Sequence, residues 1–230
     1  MSTSVLVACG HTATLKRLTD TLQGTPRVHV VGTASSLLQV RYLLARTRFD
    51  VLLCELRLPD GDVLSLLDDL WQGAPHGVRP RVLLVTPGSD HALLLDALRR
   101  GADGYCIDRG DAIVDIGQAV AQVVRDEAQI DTTLARRLLS HFDDRIAPSG
   151  LFGRHTHQDF ADTDHSRSEL SLEPAERELI TLLAQGRSLA AVARDHDLQP
   201  SELRRVVREV YRKMQCDWRT ARRVTSTLAA

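Results

Sequence analysis

No apolar run in the 230 residues approaches the roughly 20 needed to cross a bilayer. Met1–Gly10 lacks a charged segment ahead of a signal-like core. Both absences argue for a cytoplasmic protein and against a membrane partner. The four cysteines, Cys9, Cys54, Cys106 and Cys216, make no Cys-x-x-Cys pair and no zinc-finger spacing. Three of them fall in predicted strands, where a small buried thiol is an ordinary core residue, so no metal and no cofactor is expected. The net charge of −1 is too close to neutral to point to nucleic acid by itself. There are no internal repeats, and no nucleophile, base or phosphate loop is assembled, so the pattern does not support an enzyme.

What is present reads as two small domains. Hydrophobic content of 43% and charged content of 26% suit folded globular chains. Residues 1–127 alternate two periods. Predicted strands are Ser4–Cys9, Arg27–Gly32, Val51–Glu55, Arg81–Thr86 and Gly104–Ile107. Helical patterns lie at Thr12–Gln23, Ser35–Arg46, Asp62–Trp71, Asp90–Arg100 and Asp111–Glu127. Runs such as VLV, VLLC and VLLV suit parallel strands buried on both faces. Five such units predict a doubly wound α/β sheet whose functional edge is the carboxyl ends of its strands.

Residues 128–169 are expected to link the two domains. Gln129–Leu139 is helical in pattern, whereas Phe142–Glu169 has few aliphatic residues and reads as a mobile tether. Its His155, His157, Asp159, Asp162, Asp164 and His165 are metal-ligating types, but polar composition alone supplies such residues in a linker.

Residues 170–230 carry 11 Lys and Arg against 8 Asp and Glu, a mildly basic balance. Leu172–Gly186 reads as one helix, with Pro174 near its start and Gly186 as its stop. Ser188 caps a short second helix, and a third follows through Leu198–Cys216. Its apolar positions Leu203, Val206, Val207, Val210, Tyr211 and Met214 recur at helical spacing. The other face carries Arg204, Arg205, Arg208 and Arg212, with Lys213 at its edge. Arg-rich faces are usually just solvated. Behind two short helices and a tight turn, however, this one predicts a helix-turn-helix that enters a major groove. Asp217 is expected to cap a fourth helix.

Residues 172–221 resemble the LuxR-type helix-turn-helix of NarL/FixJ response regulators. The likeness rests on Pro174, Glu176, Arg177, Glu178, Leu179, Ala184-Gln185-Gly186, Ala193 and Arg212-Lys213-Met214. Asp50–Gly61, Val82–Thr86 and Ala97–Tyr105 resemble the family's receiver domain, which has flavodoxin-like strand order 2-1-3-4-5. The resemblance implies a DNA-binding transcriptional regulator acting as a homodimer on an inverted-repeat operator. It puts Arg204, Arg205 and Arg208 on base edges and Arg212 and Lys213 on phosphates. Glu202 stands where the family usually has Thr, and Val206 where it often has His.

Aligned on a receiver, the pocket looks unable to take a phosphoryl group. Cys9-Gly10 replaces the acidic pair that would hold Mg²⁺, Glu55 the acceptor aspartate, and Asp108 the lysine. Thr86 and Tyr105, which couple pocket to output in the family, are retained. The expectation is a pseudo-receiver working without aspartyl phosphorylation. Glu55 then either mimics a phosphorylated aspartate or fills the site, paired with Arg57 or Arg109. Cys9, His11 and Glu55 could also form a metal or redox site, or Cys9 could be a core filler. A vacated pocket is open to a small-molecule ligand or another regulator. The main rival is a protein-interaction adaptor whose DNA binding has weakened; a second is an ordinary phosphorylated regulator.

Overall fold

Three aliphatic runs set the centre of the first unit. Val5–Val7, Val51–Cys54 and Val82–Leu84 are at most 1% exposed along their length, as strands covered on both faces must be. The computed structural model describes residues 2–73, 79–88, 90–108, 115–146 and 171–228. The chain divides into two units, Met1–Gln129 and Ile130–Ala230.

In the first unit β1 (Thr3–Ala8), β2 (Val28–Ala34), β3 (Val51–Glu55), β6 (Arg81–Thr86) and β7 (Gly104–Ile107) form a parallel sheet of order β2-β1-β3-β6-β7. This is the doubly wound order expected. Helices α1 (Thr12–Gln23), α2 (Leu37–Leu44), α3 (Leu64–Gln72), α4 (His91–Arg100) and α5 (Ile116–Val124) connect the strands. On one sheet face Val5, Val7, Leu53, Leu83 and Val85 pack with Leu18 and Leu22 of α1 and Val120 and Val123 of α5. The alternate positions Leu6, Leu52 and Leu84 are as fully buried on the other face. Burial of each such leucine stabilises the fold by about 1.5–3 kcal/mol.

The start of α2 is set by local side chains. Ser36 accepts the Gln39 amide, so α2 begins two residues later than its periodicity suggested. Asp60 adds bonds from the amides of Leu37 and Leu38, at 2.8 and 3.0 Å. Asp60 lies in a hairpin that the sequence reading did not contain, β4 (Arg57–Leu58) against β5 (Gly61–Asp62). Its turn needs glycine at 61, where φ is +144°. Residues 111–114, expected in the last helix of this unit, lie outside the described residues.

The second unit comprises α6 (Thr132–Ile146), α7 (Pro174–Ala184), α8 (Leu189–Asp195) and α9 (Pro200–Leu228). Two features differ from expectation. The helix assigned to the linker packs on the helix-turn-helix: Leu134, Ala135, Leu138 and Phe142 are buried. Arg136 Nε donates to Ala184 O at 2.8 Å, and Arg177 pairs with Asp143 at 2.6 Å. The third and fourth helices are also one. Asp217 does not cap a new helix; it is 1% exposed and faces His141 Nε2 at 3.4 Å. With no Gly or Pro between Met214 and Trp218, nothing stops α9 there. The tether was expected from Phe142, but α6 runs on to Ile146 and buries Phe142; the rest of it, with its histidines and aspartates, lies outside the described residues.

Candidate functional site

At the carboxyl ends of β1, β3, β6 and β7 lies an open cleft of about 880 Å³. It is lined by His11, Thr14 and Arg17 from the β1–α1 side, Glu55 and Arg57 from β3 onward, Thr86 and Asp90 after β6, and Asp108 after β7. Five of the six pocket positions singled out from sequence gather at this edge. Tyr105 does not: it is 2% exposed within β7, on the sheet face opposite Cys106.

Glu55 turns toward β1. Its Oε2 accepts the Gly10 amide at 2.8 Å, and Oε1 is 4.0 Å from His11 Nδ1. Gly10 permits this because a Cβ there would meet Pro59 Cδ at 2.8 Å. Glu55 is thus held beside Cys9 and Gly10 by a backbone donor. Arg57 instead pairs with Asp90 at 2.8 Å, and Arg109 lies outside the described residues. Burial first, then the Glu55 contact, pushes the Cys9 thiol up to about 12. A neutral thiol at that position is no ligand for a hard cation. Among the described residues no three His, Cys, Asp or Glu side chains converge as a metal site.

Asp108, which stands in place of the lysine, is not a bare anion. Arg17 of α1 grips both its oxygens, Nη1 donating to Oδ1 at 3.0 Å and Nη2 to Oδ2. The hydrogen bond to Asp108 raises the Arg17 guanidinium further above its usual range. Arg57 likewise holds Asp90 below the usual carboxylate range, helped by the Leu93 amide. Thr86 is buried, and its hydroxyl oxygen accepts the Gly88 amide at 3.2 Å. The edge therefore holds carboxylates already engaged by arginines or amides. Sequence reasoning missed Arg17, because a partner 91 positions away leaves no local signal.

In the second unit the basic residues of α9 separate into two groups. Arg205 is exposed, and Arg204 and Arg212 are partly exposed. Arg212 also bonds Glu209 at 3.0 Å, one turn back. Arg208 departs from its expected place on the outer face. It is 4% exposed, and its charge and that of Asp131 both act on the buried Tyr211 hydroxyl. Lys213 also turns inward, its Nζ 2.8 Å from Glu176 and 3.5 Å from Glu173. Burial opposes the Lys213 charge, but these two carboxylates outweigh it and leave the ammonium raised. Glu176 in turn accepts the Glu173 amide at the start of α7, so Lys213 braces that helix. The outward stripe of α9 then reads Glu202, Arg205, Glu209, Arg212, which alternates in sign.

No protein-family model matches the chain. Over 136 residues it is 29% identical to the DNA-binding transcriptional activator DevR/DosR of Mycobacterium tuberculosis, covering 59% of this chain and 61% of that protein. Over 190 residues it is 26% identical to the nitrate/nitrite response regulator NarL of Escherichia coli K12, covering 83% of this chain and 79% of NarL. Among solved structures, a chain from two RcsB dimers bound to two parallel DNAs superposes with TM-score 0.53 and 17% identity. That match covers 94% of this chain and 97% of the other. RcsB of Salmonella enterica serovar Typhimurium, bound to a promoter in the presence of phosphomimetic BeF3⁻, gives TM-score 0.51 at 18% identity over 94% and 93%. At such identities these structures speak to the fold.

Proposed function

We propose, from the premise that this chain is a response regulator of the NarL/FixJ type, that it binds operator DNA as a homodimer and regulates transcription without aspartyl phosphorylation. The α8–α9 pair is the reading element, with Arg204, Arg205 and Arg212 toward DNA. One short element reads few bases, and two copies on paired half-sites multiply the affinity. The observation that carries the phosphorylation-independent part is the pairing of the charged groups at the cleft. Glu55 is held by the Gly10 amide and Asp108 by Arg17, and a neutral Cys9 thiol stands where a magnesium carboxylate is needed. Phosphoryl transfer asks for an aspartate nucleophile, carboxylates to hold a metal and a cation on the phosphoryl oxygens; among the described residues at this edge, Glu55, Cys9 and arginines already paired with Asp108 and Asp90 stand there instead.

The test is footprinting of the full-length protein without phosphodonor at two salt concentrations, paired with intact-mass measurement after acetyl phosphate and Mg²⁺. Discrete inverted-repeat protections with no phosphoryl mass gain are expected. Protections that require acetyl phosphate, with a matching mass gain, would return the protein to the ordinary phosphorylated class.

The alternating stripe on α9 favours a second reading, an adaptor that pairs with another regulator. Two of its four charges are carboxylates, and Arg208 and Lys213 are turned inward, which reduces attraction to phosphates. Weak binding with a shallow salt slope and no preferred site is the outcome that supports it.

A further inference from the structure

Glu202 occupies the third position of α9 and is exposed. Its Oε2 accepts the Gln199 amide at 2.7 Å, the N3 half of a capping box. The bond ties the side chain to the first helical turn and leaves Oε1 to accept elsewhere. Arg205 is exposed three residues on, on the same face. A carboxylate tied in place at this point faces whatever the start of the helix approaches.

We infer that Glu202 is a specificity-determining residue that selects cytosine at the base pair it faces. The inference rests on the reading of α9 as a DNA-binding helix. An ionised carboxylate can only accept hydrogen bonds. In the major groove guanine offers the acceptors N7 and O6, and thymine offers O4, so both repel it. Adenine offers its N6 amino group beside the acceptor N7. Cytosine alone presents an amino donor, N4, with no acceptor on the same base edge. Arg205, one turn further, is a fork that fits guanine O6 and N7. Together they define a short cytosine- and guanine-bearing core in each half-site. Against other sequences Glu202 works by repulsion, so it lowers non-specific affinity while adding discrimination. Because the cap already orders the side chain, little rotamer freedom is lost on contact.

The experiment is selection of binding sites from a random duplex library by the full-length protein, by Glu202→Gln and by Glu202→Ala. Glu202→Gln retains a cap acceptor and so keeps the helix start. Wild type is expected to enrich cytosine over other bases at one position per half-site by about tenfold, the scale of one good base contact. Glu202→Gln should shift that position to adenine, whose N6 and N7 suit a carboxamide, and Glu202→Ala should flatten it. An enriched site whose base composition is the same in all three proteins overturns the cytosine assignment and leaves DNA binding standing. A library from which wild type enriches no sequence overturns both.

Discussion

Arg17 and Arg205 are both arginines on the outer side of amphipathic helices, yet they sit in opposite circumstances. Arg17 reaches the end of β7 and is closed bidentately on Asp108, while its neighbour in the cleft, Arg57, is closed on Asp90. Arg205 is exposed between Glu202 and Glu209 on a stripe that continues to Arg212. In the sheet unit the charges at the strand edge answer one another. In the helical unit an outer row faces solvent, with short-range contacts within the helix such as Glu209 with Arg212. The difference lies in reach. Strand ends converge, so carboxylates and guanidiniums within a few ångströms find fixed partners, whereas a helix surface spreads its charges and leaves them open to a partner molecule. A residue type at a family position therefore predicts chemistry only after its neighbours are known.

The largest effect that sharpens this contrast concerns α6. If the second unit owns that helix, residues 170–230 alone should not fold cooperatively, while residues 130–230 should. Removing α6 strips the partners of a cluster containing Leu134, Leu138 and Phe142, which are 0%, 0% and 3% exposed. At about 1.5–3 kcal/mol for each large side chain, the loss rivals the whole stability of a small domain, about 5–15 kcal/mol. Urea unfolding of the two fragments followed by circular dichroism checks it. A cooperative transition in 170–230 would make α6 an accessory.

Next in size is the separation of inward from outward cations on α9. Lys213→Ala should lower stability by about 2 kcal/mol, because it leaves the buried Glu176 without its ammonium, and affinity should fall only as far as folding does. Arg205→Ala should leave the melting curve unchanged and weaken specific binding by about 1–3 kcal/mol, roughly 5- to 150-fold. The pH dependence follows from the raised Lys213. A raised ammonium contributes fully below its unfolded pKa of about 10.4 and is lost only as pH rises through its folded value. The deficit of Lys213→Ala should therefore be flat from about pH 6 to 9. The same destabilisation by both substitutions would erase the distinction.

Much of this was legible in the residues. Strands Val51–Glu55, Arg81–Thr86 and Gly104–Ile107 and the helix Thr12–Gln23 have the ends that periodicity assigned, because buried parallel strands and amphipathic helices write their period locally. Five of the six pocket residues meet for the same reason: strand ends in this topology share an edge. What was not legible depended on tertiary neighbours. The wheel drawn for α9 alone leaves Arg208 outside, but the stretch entering α6 brings Asp131 to the same buried Tyr211. The capping site imagined at Asp217 is occupied by contact with His141 instead. The cation that pairs Asp108 comes from 91 positions earlier, so the sequence around it gives no sign of the pair.

The smallest expected effect probes that last pair. Arg17→Ala and Asp108→Ala should each cost about 1 kcal/mol, and the double variant less than their sum, with a coupling of about 1 kcal/mol. Full burial would argue for more, but the two side chains are 29% and 13% exposed, so solvent screens part of the attraction. Arg17→Ala removes the cation that offsets Asp108 at the position where phosphoryl oxygens would have to sit. The variant's cleft is then more negative and still lacks an acidic pair, so acetyl phosphate should no more label it than wild type. DNA affinity should be unchanged, because the pair belongs to one unit and the proposed reading helix to the other. Zero coupling in urea melts would mean that the two charges are held apart in solution. The cleft's charge pairing would then cease to support the proposed independence from phosphorylation.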